Sequence, residues 1–226
     1  MSDGSPRQKV AALLNNRVVI VAELLLVVFI LLPYTITPVL LLFGWLSLRL
    51  RDVSWSQIGI KLPARMVRTL LIAIPLGALW PLLDIHIVEP WIESLTGTQV
   101  DLNQIAGIQD NLTGYLLLLG IVWTLAAFGE EMIFRGYLLN RFIDVLGGSK
   151  AALAASLIAV SLCFGFAHVY QGVSGIIETA YVGLGLGLLY VVSGRNLWLP
   201  IIVHGVYDTV GITLIYLGQY PGLSAR

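Results

Sequence analysis

Three short stretches hold most of the side chains able to do chemistry deep in an otherwise apolar chain. The first, Glu130-Glu131-Met132-Ile133-Phe134-Arg135, brings three ionisable groups into six residues and is entered from the uncharged run 111–129. At mid-bilayer each such group costs roughly 2.5–3.5 kcal/mol on translocon-type scales, so a chain keeps three only for a purpose. On a helix Glu131 and Arg135 stand at i and i+4 and can neutralise one another, while Glu130 projects about 100° away. Glu130 is therefore predicted to be the carboxylate left free for something else. The other two stretches are Phe164-Gly165-Phe166-Ala167-His168 and His204-Gly205-Val206-Tyr207-Asp208, again at helical i, i+4 spacing. Each imidazole lies in an apolar run, so it must find a partner inside the protein or face water in a cavity. His204 and Asp208 share one helix face, which suits two ligands of one metal or a carboxylate orienting an imidazole.

The elements that must position these groups are membrane helices. Of 226 residues 58% are hydrophobic and 12% charged, against about 25% charged in a soluble domain. The reading is an all-α, polytopic integral membrane bundle in one membrane domain. The formal net charge is zero, which offers no basic surface for nucleic acid, and the single cysteine, Cys163, excludes an intramolecular disulfide. Val18 to Leu32 and Thr37 to Leu48, separated by Pro33-Tyr34-Thr35-Ile36, predict a helical hairpin or one kinked helix, and the absence of a small-residue cleavage site predicts an uncleaved anchor. Glu23 inside the first run has no local explanation. Residues 49–68 carry five Lys or Arg against one acid, Asp52, and this places them and the amino terminus in the cytoplasm. Thr69 to Leu83 then leads outward to a connection, Asp84 to Asp110, with five acids and no Lys or Arg, predicted to be an outward loop.

From Thr113 the apolar pattern runs through Glu130 to Val145, and Gly147-Gly148 ends it, so the period predicts a helix of roughly 50 Å with Glu130 near mid-bilayer and Arg141 and Asp144 emerging on the cytoplasmic side. Three further runs, Ala151 to Ala167, Gly175 to Val192 and Leu197 to Leu217, bring the count to seven spans, or eight if one is split. Gly183 and Gly187 have the small-xxx-small spacing that lets helix backbones approach closely, and are read as packing.

In order and spacing the three stretches resemble the motifs of the CPBP intramembrane peptidases, which include the CAAX prenyl endopeptidases and the bacterial abortive-infection-like proteins. Glu130, Glu131 and Arg135 match Glu-Glu-x-x-x-Arg; Phe164 and His168 match Phe-x-x-x-His; His204 and Asp208 match His-x-x-x-Asn/Asp. The resemblance covers roughly residues 113–218 and divides the chain into amino-terminal helices, 1–112, and a catalytic core, 113–226. It implies hydrolysis of a peptide bond in a bundle of about eight spans, at a cavity open to the cytoplasm. Glu130 would be the base acting on water, His168 would help to hold that water, and His204 with Asp208 would bind a metal or steady the oxyanion. Glu131, Arg135 and Phe164 would support them. Prenyl-processing members usually carry Asn at the position of Asp208; an ionised aspartate only accepts hydrogen bonds, so it favours orienting His204 or joining His168 and His204 as ligands of a metal, zinc being the candidate.

The expected substrate is a membrane-associated protein or peptide, lipidated or not, and the expected location a prokaryotic cell membrane. Oligomeric state is not legible. Two rival readings are a non-catalytic scaffold or bacteriocin-immunity protein of the same fold, and a proton pathway through Glu130, Glu131, His168 and Asp208. The common site also meets a difficulty of depth. Counted from the cytoplasmic end, His168 lies some eighteen residues into its span and Asp208 about a dozen, a mismatch of roughly 9 Å for vertical helices.

Overall fold

The computed structural model describes residues 5–31 and 37–223, with the side chains of 28–31 left aside. Pro33 to Ile36, the expected break between the first two apolar stretches, lies outside these residues. All regular elements among the described residues are helical. α1 (Pro6–Leu14) begins at a capping box in which Ser5 and Gln8 satisfy each other's backbone amides. It meets α2 (Arg17–Leu31) at a 69° bend, and α3 (Thr37–Leu50) follows. Five long apolar helices come next: α4 (Met66–Thr96), α5 (Leu112–Leu146), α6 (Lys150–Ala167), α7 (Gly172–Val192) and α8 (Trp198–Tyr216). Among the described residues five helices are long and apolar enough to cross a membrane, or six if the bent α1–α2 pair counts as one span, and α3 is a shorter apolar helix of 14 residues. The protein is an integral membrane helical bundle, and each of the seven apolar runs expected from the sequence carries a helix.

α5 follows the sequence pattern closely. Asn111 caps it by accepting from the Gly114 amide, and Gly147 closes it with φ +89°. Its 35 residues span about 50 Å. Between Val122 and Leu138, however, most of the helix is wound in wide i→i+5 turns, interrupted at Glu131. Such turns are rare and recur at functional sites.

α6 and α7 lie against each other along a seam of small residues. A Cβ at Gly183 would stand 2.9 Å from the Phe164 ring, and one at Gly187 2.8 Å from Leu157. Only hydrogen in place of a side chain permits that approach.

Two expectations are corrected. The acidic connection is not a loop throughout: α4 passes Pro75 and Pro81, widens at Asp84–Val88 and continues to Thr96, where Gly97 ends it in the left-handed region. The reason is a partner within the bundle, since Asp84 is fully buried and accepts from the Tyr207 hydroxyl at 2.7 Å. Arg141 likewise does not emerge from the bundle. It is 1% exposed, with Nε 3.0 Å from Glu23 Oε2 and Nη2 donating to the Leu14 carbonyl at 2.7 Å. Ser47 and Tyr137 donate to the other oxygen of Glu23. Glu23 is thus the hub that ties α2 and α3 to α5.

The ends of the bundle differ in charge. Arg7 pairs with Asp52, and the Leu197 amide donates to the Gly59 carbonyl at 3.0 Å, so α1, the basic 49–68 segment and the α7–α8 turn meet at one end. Residues 97–111 and the chain after α8 meet at the other, where the Asp110 amide donates to the Tyr216 carbonyl at 3.1 Å.

Candidate active site

The wide-turned part of α5 carries Glu130 and Glu131 into the bundle side by side and gives them different surroundings. Glu131 is fully buried; its Oε1 accepts from Arg135 Nη1 at 2.6 Å and lies 3.0 Å from His204 Nδ1. Arg135 is anchored from the opposite side, because its Nη2 donates to the Gly183 carbonyl at 2.7 Å. The small-residue seam of α7 therefore also leaves a backbone acceptor open to a buried guanidinium. Glu130 is 7% exposed, and its Oε2 is buried without a hydrogen-bond partner. Such an oxygen carries a desolvation cost that nothing within the protein returns.

His204 lies between two carboxylates, with Nδ1 on Glu131 and Nε2 3.4 Å from Asp208 Oδ2, one helical turn along α8. An imidazole can donate at both nitrogens only as the cation. The three groups together fix the ring plane and leave its edge at the cavity. His168 caps the end of α6; its Nδ1 is 2.8 Å from the Phe164 carbonyl, which leaves Nε2 for other partners. The Phe164 ring joins the two imidazoles, with centroids 4.9 Å from His168 and 6.0 Å from His204, and its face lies 4.7 Å from the Arg135 guanidinium carbon. The depth mismatch is thereby closed. Counting residues from the helix ends misled because the helices do not start level: α6 starts at the exposed Ser149 and Lys150, whereas α8 starts next to the fully buried Leu197.

Glu130, Phe164, His168, His204 and Asp208 all line one cavity of about 390 Å³. It runs from these residues toward the acidic end, where Leu102, Ile105 and Tyr220 bound it, and its wall is otherwise largely apolar. Glu131 and Arg135 do not line it; they stand behind His204. Among the described residues no three His, Cys, Asp or Glu side chains are grouped so as to hold a metal ion, the trio His168, His204 and Asp208 included.

The sequence pattern did not reveal the bond from Glu131 to His204 or from Arg135 to Gly183, since neither pair is local. It also missed Tyr170, whose ring lies 5.7 Å from His168 at the cavity wall. A tyrosine two residues beyond a candidate histidine was the only signal available.

The helical membrane bundle thus holds a carboxylate with a free oxygen and two imidazoles around one internal cavity with an otherwise largely apolar wall. Residues 112–210 match the family described as type II CAAX prenyl endopeptidase Rce1-like. The segment holds all three motifs. No curated protein and no solved structure matches the chain. The matched family is one of endopeptidases.

Proposed function

We propose that this protein cleaves a peptide bond of a membrane-associated substrate by direct attack of water, with Glu130 as the base. The observation that carries the reading is the free, buried Oε2 of Glu130 at the wall of a cavity it shares with both imidazoles. Glu130 takes a proton from water as the oxygen attacks the carbonyl carbon. His168, held through Nδ1, offers Nε2 to position that water. His204, held through Nδ1 by Glu131, offers Nε2, which stands 3.4 Å from Asp208, to the developing oxyanion. When the C–N bond breaks, the proton on Glu130 passes to the departing amine. Glu131, Arg135 and Phe164 act by holding His204 in place.

The test is mass-spectrometric sequencing of new peptide ends in membranes bearing wild-type protein or Glu130→Gln, a change that keeps size and removes the base. Ends found only with the wild type establish proteolysis and name the cleavage sequence. Identical samples, with a normally folded variant, would replace the peptidase by a non-catalytic scaffold.

A further inference from the structure

The cavity has a second polar region that the reaction above does not use. Glu178 on α7 lines it and is 7% exposed. Beside it the Tyr207 hydroxyl donates to Asp84 Oδ2 at 2.7 Å and reaches Glu178 Oε1 only at 3.4 Å; one hydroxyl proton cannot serve both well. Asp84 Oδ1 is buried with no partner at all. Glu89 takes the Tyr220 hydroxyl at 2.6 Å. Beyond Tyr220 lies a second cavity of about 380 Å³, which shares Val100, Leu102 and Tyr220 with the first and is lined by Glu89, Glu93 and Asp101. Neither cavity is lined by Lys or Arg, and residues 84–110 contain none; the nearest basic side chain in sequence, His86, is exposed. Carboxylates thus continue from the outer cavity to Tyr207, the residue before Asp208, with no Lys or Arg of this chain among the lining residues. These acceptors, which no Lys or Arg of this chain occupies, suit a positive group brought from outside.

We propose that this acidic arm receives a Lys or Arg side chain of the peptide substrate, with Glu178 as its inner determinant, so that cleavage requires a cationic residue at a fixed distance from the scissile bond. The inference rests on the peptidase reading above. Its test extends the sequencing of new peptide ends to Glu178→Gln and Glu178→Asp. With wild type, Glu130-dependent ends should carry Lys or Arg at one fixed offset. The enrichment should fall at least about tenfold in Glu178→Gln and persist in Glu178→Asp, which keeps the charge. Should Glu178→Gln fail to fold, the exposed pair Glu93→Gln with Asp101→Asn, at the outer cavity, is expected to weaken the same enrichment. Glu130-dependent ends without a cationic preference, or with one that no variant alters, would overturn the arm and leave the peptidase standing. Absence of any Glu130-dependent end would remove both.

Discussion

Adjacent glutamates in α5 do opposite work, and this can be separated by experiment. Each has one buried oxygen that no protein group satisfies, but Glu130 lines the cavity and holds no ion pair among the described residues, so Glu130→Gln should leave stability nearly unchanged while lowering the appearance of new peptide ends about 10²–10⁴-fold, the usual worth of a general base. Glu131 compensates the buried Arg135 guanidinium. Removing one partner of such a pair leaves a charge stranded, at a cost of about 3–5 kcal/mol, so Glu131→Gln should lower the thermal midpoint in detergent markedly. Equal melting of the two variants would show that the buried pair contributes nothing to the fold. Metal content can be checked on the same preparations. With no three-ligand grouping among the described residues, active protein is expected to contain no stoichiometric zinc and to survive chelation; one zinc per active chain would overturn direct attack by water. This division of labour was legible from i, i+4 arithmetic because it is local. The link between Glu131 and His204 was not, since 73 residues separate them and only the packing of α8 against α5 brings them together.

At the scale of the elements, the α6–α7 seam positions the site as much as any single polar group. Phe164 packs against both imidazoles and Arg135, and it sits there because Gly183 leaves it room. Gly183→Ala would press a methyl to 2.9 Å from the ring and push it toward the histidines. The expected result is a stability loss of about 1–3 kcal/mol with a larger loss of peptide-end formation. Gly120→Ala in α5, with nothing within 4 Å, serves as the control and should be silent in both assays. An unaffected Gly183→Ala would show that the ring has slack. Helix identity was readable throughout, because apolar runs and glycine stops mark the ends of α5 directly. The extension of α4 to Thr96 was not, since acids after a proline read as solvated chain until Tyr207 supplies Asp84 with a buried donor.

Across the whole molecule, charge and cavity point to opposite conclusions about access. The basic residues gather at the end formed by α1, residues 49–68 and the α7–α8 turn, which the positive-inside rule assigns to the cytoplasm. The cavity, however, extends from Glu130 toward Leu102 and Tyr220 at the acidic end. A site open to the cytoplasm, as the family resemblance implied, and a cytoplasmic basic end therefore cannot both hold unless the substrate crosses most of the bundle. Charge asymmetry acts during insertion on short loops and is the stronger physical determinant of orientation, so the cavity is expected to face outward. Accessibility of two exposed positions decides the matter. In a Cys163→Ala background, Gln99→Cys at the acidic end should react with a membrane-impermeant maleimide in intact cells, and Lys61→Cys only after permeabilisation. The opposite pattern would place the acidic arm in the cytoplasm. Any cationic substrate segment would then reach Glu178 from inside the cell, and residues 49–68 would be an exception to the rule that assigned them.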